Sequence, residues 1–150
     1  MATPSAKQED VVRQLATEIR ILEGSASALQ SRLDIVRAAI SEITLAHNTL
    51  EGFKTLQDGD DTLVPIGAGS YVRMKIADSK KLVMGVGAGA ALEKDVGSSV
   101  EELKGRLQEL DKARNSIQQQ LEQTLARYQQ DRDALEELLR RQGTAAQAAS

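Results

Sequence analysis

Two long stretches of this sequence repeat apolar residues at alternating intervals of three and four positions. The first series consists of Val12, Leu15, Ile19, Leu22, Ala26, Leu29, Leu33, Val36, Ile40, Ile43, His47 and Leu50. The second consists of Val100, Leu103, Leu107, Leu110, Arg114, Ile117, Leu121, Thr124, Tyr128, Asp131, Leu135 and Leu138. Stripes this narrow and continuous are typical of coiled-coil helices rather than of helices in a globular core. Two such helices cannot fold into a compact ball, so we expect an extended molecule.

Polar residues interrupt mainly the second stripe. Arg114 at a stripe position can specify register, but we favour a packed stem with its charged head in water. The second stripe also has an alternative path through Leu121, Leu125, Tyr128 and Leu135. This path begins with two successive steps of four residues, a stutter that locally unwinds a coiled coil. We therefore expect looser packing over residues 125–139.

The composition narrows the possible functions. The net charge of −3, with both signs interspersed, gives no general attraction to nucleic acid or to a membrane surface. The absence of Cys excludes disulfides, thiol catalysis and Cys-based zinc sites. The first residues lack the apolar core of a signal peptide, and no apolar run is long enough to span a membrane. We expect a cytoplasmic protein that binds neither nucleic acid nor membrane.

Capping and turn residues divide the chain into four segments. The first helix is expected over residues 1–57, with Thr3, Pro4 and Ser5 as start signals. The second is expected over residues 97–143, because Ser98 and Glu101 form a capping box and Gly143 is a natural C-cap. Residues 144–150 are expected to form a disordered tail, and residues 58–96 join the two helices.

The joining segment reads as four short strands. They are expected near residues 62–66, 71–76, 82–86 and 90–93, with tight turns that make two β-hairpins in series. Pro65 restricts the first strand to an edge or a bulge. A sheet this small is marginal in water and leaves unpaired edges. Since the helix stripes are used against each other, we expect an obligate oligomer joined through the β segment.

The two stripes are nearly equal in length, which favours an antiparallel coiled coil within one chain. Folding the chain about the joining segment, residues 58–96, predicts which residues of the two helices meet. The predicted pairs are Leu50 with Val100, Ile43 with Leu107, Val36 with Arg114, Ala26 with Thr124, Leu22 with Tyr128 and Leu15 with Leu135.

The residues that could carry chemistry are few. Residues 85–90 fit the dinucleotide pattern G-x-G-x-x-A, but no further parallel strand follows, so we assign these glycines to turns or bulges. His47 is the only histidine and has no second metal ligand nearby in the sequence. We expect no enzyme activity, no cofactor and no metal.

Residues 62–72, Thr-Leu-Val-Pro-Ile-Gly-Ala-Gly-Ser-Tyr-Val, and residues 83–89, Val-Met-Gly-Val-Gly-Ala-Gly, resemble the prefoldin (GimC) family in its archaeal α type. The resemblance implies a mainly α fold, in which a long antiparallel coiled coil is joined by two β-hairpins that oligomerise into a β-barrel. It implies a hetero-hexamer of two α and four prefoldin β subunits. It also implies an ATP-independent chaperone that captures unfolded client proteins with its coiled-coil tips and delivers them to a group II chaperonin.

Two sets of candidate residues follow. The assembly set comprises Leu63, Val64, Ile66, Val72, Met74, Ile76, Leu82, Val83, Met84 and Val86. The tip cluster, expected to bind clients, comprises Val11, Val12, Leu15, Leu135, Leu138 and Leu139. Two other functions stay open: a coiled-coil scaffold with fixed partners and no client binding, and an enzyme subunit that uses the glycine segment to bind a nucleotide. From the residues alone, we favour ordinary coiled-coil packing for the tip cluster over a surface exposed to a partner.

Overall fold

The computed structural model describes residues 6–148 of the chain. Its elements are α1 (Ala6–Phe53), β1 (Asp61–Gly67), β2 (Ser70–Lys75), β3 (Lys81–Gly87), β4 (Ala90–Asp95) and α2 (Val96–Ala148). The strands form two separate two-stranded sheets, β1 with β2 and β3 with β4. The prediction of two long helices joined by two β-hairpins is confirmed.

The chain divides into two units. The helical unit contains the start of α1 and the end of α2, described over residues 6–37 and 113–148. The hairpin unit contains residues 38–112, and therefore both hairpins with the adjoining parts of the helices.

The helix ends differ from the predicted ones. The predicted start signals at residues 3–5 lie outside the described residues, and α1 ends at Phe53, four residues before the expected position. Ser98 does not cap α2, because the helix already begins at Val96, whose N–H donates to the carbonyl of Lys80 at 2.8 Å. The Ser98 hydroxyl instead donates to the carbonyl of Asp95.

The structure also differs from the predicted tail over residues 144–150. α2 continues past Gly143 to Ala148. One glycine inside a helix costs about 1 kcal/mol relative to Ala, whereas the alanines that follow have the highest helix propensity. Residues 149 and 150 lie outside the described part.

In the helical unit the predicted stripe is the buried one. Leu33 is 2% exposed, whereas Ile35, two residues further along α1, is 69% exposed. The start of α1 and the end of α2 belong to the same unit, so the helices run antiparallel. Tyr128 donates to Glu23, the neighbour of Leu22, which agrees with the predicted pairing of Leu22 with Tyr128.

The stripe of α2 keeps its regular path. Thr124 is half-buried and Asp131 is buried, whereas Leu125 is 48% exposed. The predicted stutter through Leu125 is therefore not followed.

The two hairpins share one turn conformation. Ala68 and Ala88, at the tips of the first and second hairpin, both have φ of 50°. The register shifts by one residue between Pro65 and Gly67, and again between Gly85 and Gly87. A bulge follows Pro65, in agreement with the prediction that Pro65 restricts this strand to an edge or a bulge. The second hairpin has the same bulge after Gly85, so the bulge does not require a proline.

The buried residues of the hairpin unit cluster at the β3–α2 end of the sequence. They are Met84, Val96, Ser99, Val100 and Leu103. Most of the remaining hairpin surface is exposed.

We expect Leu33→Ala to lower the free energy of unfolding by about 2–5 kcal/mol, since it removes buried methyl groups and leaves a cavity. Ile35→Ala is the matched control, and its cost should stay within about 0.5 kcal/mol because the side chain is exposed. Urea unfolding followed by circular dichroism measures both variants. Equal losses would contradict the assignment of the stripe.

Candidate functional site

Exposed apolar side chains are concentrated on the two hairpins. They are Leu63, Ile66, Tyr71, Val72, Met74, Val83, Val86 and Leu92. Solvated apolar surface grouped in one region commonly marks an interaction site. The hairpins are therefore the first candidate site.

Strand register separates the assembly set on the first hairpin. Val64 pairs with Val72 and Thr62 pairs with Met74, so Val64, Val72 and Met74 share one face. Leu63 pairs with Arg73 on the opposite face. Two further members of the set, Ile66 and Ile76, lie at the bulge and just after β2.

The second hairpin divides in the same way. Leu82 and Met84 lie two residues apart on β3 and therefore share one face, on which their partners in β4 are Lys94 and Leu92. Val83 lies on the other face, and Val86 lies at the bulge. Met84 is buried within its own chain, so its side chain is covered before any partner binds. The structure therefore places the predicted assembly set on both faces of each hairpin.

The first strand of each hairpin begins with a charged residue, and the two charges have opposite signs. In the first hairpin Asp61 on β1 lies 3.2 Å from Lys75 on β2. In the second the cation is on the first strand, and Lys81 on β3 lies 3.0 Å from Glu93 on β4. The hydrogen bond and the charge of Glu93 raise the pKa of Lys81. Each hairpin thus pairs these charges between its own two strands.

Two polar contacts fix the hairpin segment, one between its loops and one between β4 and α2. The Asp58 carboxylate accepts a hydrogen bond from the Ser79 N–H at 2.7 Å, and this bond lowers the pKa of Asp58. Lys94 on β4 donates to Glu102 on α2 at 2.5 Å, which lowers the pKa of Glu102 below its usual 4.5, and Arg106 adds to the effect. The first bond joins the loop after α1 to the loop between the two hairpins, and the second joins the end of the second hairpin to α2.

The tip cluster is the second candidate site. Its members on α1 lie near the start of the helix, and those on α2 lie near its end, within the same unit. Val11 and Leu139 are 45% and 50% exposed. The other four members are half-buried: Val12, Leu15, Leu135 and Leu138. The cluster therefore combines packed and solvated apolar side chains, and its role in client binding stays a prediction.

A polar layer next to the tip cluster was not predicted as a unit. Arg127 donates to Glu18 on the facing helix at 2.9 Å, and its Nε lies 3.1 Å from Asp131 on its own helix. Asp131 is only 4% exposed, and its Oδ2 accepts no hydrogen bond within the described part of the chain. The sequence signal was the stripe interruption at Asp131, four residues after an arginine.

The other sequence candidates show no site geometry. Gly87 and Gly89 have φ of 101° and 75° in the turn between antiparallel strands β3 and β4, whereas a dinucleotide motif opens a helix. His47 is half-buried and lies 4.0 Å from Glu51. No group of three or more potential metal ligands occurs among residues 6–148. Within the same range, no helix is long and apolar enough to cross a membrane.

Comparison with known proteins identifies the family. A sequence model described as "Prefoldin: Prefoldin subunit" matches residues 22–141, which is more than half of the chain. The chain belongs to the prefoldin family. The "Prefoldin subunit alpha" of Methanopyrus kandleri is 33% identical over 123 residues, which cover 81% of this chain and 78% of that prefoldin. That of Methanococcoides burtonii is 36% identical over 108 residues, which cover 72% and 78%. The predicted similarity to α-type prefoldin subunits is confirmed.

A solved prefoldin structure supports the fold. A chain in the cryo-EM structure of filamentous PFD from Methanocaldococcus jannaschii has a TM-score of 0.64 and 23% sequence identity. The match covers 81% of this chain and 98% of that chain. At this identity the likeness establishes the prefoldin fold of helices and hairpins.

We expect Glu102→Gln to lower the melting temperature at neutral pH, because it removes the negative charge that pairs with Lys94 and Arg106 and replaces one of the two acceptor oxygens by an NH2 group. A carboxylate whose pKa is lowered by folding stabilises the folded state above its unfolded pKa, and this stabilisation disappears as the pH falls through the folded pKa. The difference from the unmodified chain should therefore be full above about pH 4.5 and shrink as the pH falls further, through the lowered pKa of the folded state. Melting curves across this range measure the effect.

The exposed neighbour Glu101 supplies the control variant, Glu101→Gln. A Glu102→Gln effect that persists unchanged at the acidic end would show that the loss does not come from these ion pairs.

Proposed function

We propose that this chain is a subunit of an ATP-independent chaperone that holds unfolded proteins. Its hairpins join it to β subunits in a hexamer of two α and four β subunits. Its tip cluster contacts the client, which the complex then delivers to a group II chaperonin in the cytoplasm. The observation that carries the proposal is the presence of exposed apolar side chains in two different units of the chain, on the hairpins and at the helix ends.

The hairpin surface supports a role in assembly. Each sheet has only two strands, which is too few for independent stability in water. Each hairpin also leaves strand edges unpaired. On the first hairpin, the face that bears Val72 and Met74 is exposed. Strands from other subunits would pair these edges and cover this face, and closure into a barrel would remove the edges altogether.

The tip cluster supports a role in client binding. Unfolded proteins differ in sequence, so a surface that binds many of them must rely on apolar contact rather than on fixed hydrogen bonds. Val11 and Leu139 supply such contact at the helix ends. Several coiled coils in one complex would bind the same client at once, so that many weak contacts together give a useful affinity. Binding of this kind requires no nucleotide.

We expect Val11→Ser with Leu139→Ser to weaken client capture while leaving assembly unchanged, since both side chains are exposed and carry little of the packing. The assay is suppression of aggregation of a denatured protein by the assembled complex without ATP. The double variant should require severalfold more complex for equal suppression. Ile21→Ser with Ile35→Ser is the control, because it removes two apolar side chains that are more exposed than Val11 and Leu139 and lie elsewhere on α1.

Equal losses in both double variants would show that the tip cluster has no special role. No suppression by the unmodified complex would favour a scaffold with fixed partners. Tight binding of NAD or ATP in equilibrium dialysis would instead favour the nucleotide-binding alternative.

We expect Val72→Asp or Met74→Asp to prevent hexamer formation, because either places a charge on a face that assembly would bury. Native mass spectrometry of the complex formed with co-expressed partner subunits measures this. Tyr71→Asp, on the opposite face of β2, is the matched control. Intact hexamers with either Asp variant would show that the wrong face has been assigned to assembly.

A further inference from the structure

The last part of α2 carries two interleaved heptad stripes. Both include Leu121, Tyr128 and Leu135. The first is completed by Thr124, Asp131 and Leu138, which we call the inner set. The second is completed by Leu125, Arg132 and Leu139, which we call the outer set. Each outer residue directly follows an inner one, so both stripes alternate intervals of three and four residues and either can face another helix.

The structure buries the inner set. Asp131 is buried, and Thr124 and Leu138 are half-buried. Leu125 and Leu139 of the outer set are 48% and 50% exposed, and Arg132 is exposed as well.

Side-chain chemistry alone would favour burial of the outer set. Leu125 is more apolar than Thr124, and Leu139 and Leu138 are equivalent. Arg132 can bury its stem while its head reaches water, whereas Asp131 has no stem with which to do so. The buried Asp131 Oδ2 without a hydrogen bond is a direct cost of the observed orientation.

The guanidinium group of Arg127 offsets the cost of burying the Asp131 carboxylate. It compensates the charge of Asp131 through Nε and reaches Glu18 on α1 through Nη2. Bringing the outer set inward requires α2 to rotate by about 50°, half of the angle between successive residues of a helix. That rotation carries Arg127 away from α1, so the contact with Glu18 must break.

We propose that Glu18, Arg127 and Asp131 form a lock that selects between two rotational states of the end of α2. The locked state keeps Leu125 and Leu139 in solvent. The released state buries them and turns Asp131 towards water. Because Leu139 belongs to the tip cluster, the lock controls how much apolar surface the helix ends offer. The consequence for client capture rests on the proposed function, whereas the rotation itself does not.

The chain has no native Cys, so single thiols report the rotation directly. Leu138→Cys and Leu139→Cys are each prepared in the full-length chain, with and without Arg127→Gln. The rate of thiol labelling is measured without any client. For each Cys position, the rate with Arg127→Gln is compared with the rate without it, so the effect of the Cys substitution itself on the stripe cancels.

In the unmodified background Leu139→Cys should label faster than Leu138→Cys. Arg127→Gln leaves the Asp131 carboxylate buried without its partner, which favours the released state. The rate at position 139 should fall and that at position 138 should rise, so that their ratio drops about tenfold. Adding Asp131→Leu should restore the ratio, because the inner set then contains no charge to expel.

Arg140→Gln is the matched control, because Arg140 pairs with Glu137 of its own helix. It should leave the ratio unchanged. Two results would overturn the proposal: an unchanged ratio in Arg127→Gln, or a parallel rise at both positions, which indicates melting of the helix end rather than rotation.

Discussion

Burial of one narrow apolar stripe between α1 and α2 is the interaction on which the rest of this structure depends. Leu33, 2% exposed, and its stripe neighbours are covered because the second helix of the same chain supplies a matching stripe. A two-helix coiled coil has no second apolar face to offer. The hairpins between the helices therefore keep much of their apolar surface in solvent. Because each helix buries its apolar stripe against the other helix, a partner is needed to cover the apolar surface of the hairpins.

The stripe also tolerates polar residues, and each has a different physical basis. Tyr128 keeps its ring half-buried while its hydroxyl donates to Glu23. Thr124 donates to the carbonyl of Gln120 within its own helix. Asp131 is the costly residue, because only one of its carboxylate oxygens is paired. Buried polar groups in coiled coils often specify register at the expense of stability, and this chain places one beside its tip cluster.

Much of the fold could be read from the sequence because its signals are local. The intervals of three and four residues located both helices, and the alternation of residues 71–76 located a strand. The missing N–H of Pro65 limited its strand to an edge or a bulge, and a bulge follows it. Helix ends were less predictable. Ser98 and Glu101 form a valid capping pattern, yet the bond from Val96 to the Lys80 carbonyl starts the helix earlier. The continuation through residues 144–148 shows that the helix propensity of alanine outweighs one glycine.

The sequence by itself determined the element types, the antiparallel pairing and the family, because each depends on periodicity or on short contiguous motifs. Only the tertiary structure decided which residues of the candidate sites are exposed. It placed Leu63 and Val64 on opposite faces of one hairpin and buried Met84 within its own chain. It also chose Thr124 and Asp131 over Leu125 and Arg132 for the buried stripe, although both paths satisfy the heptad. That choice depends on Glu18, more than a hundred residues away in sequence, and no local pattern encodes such a contact.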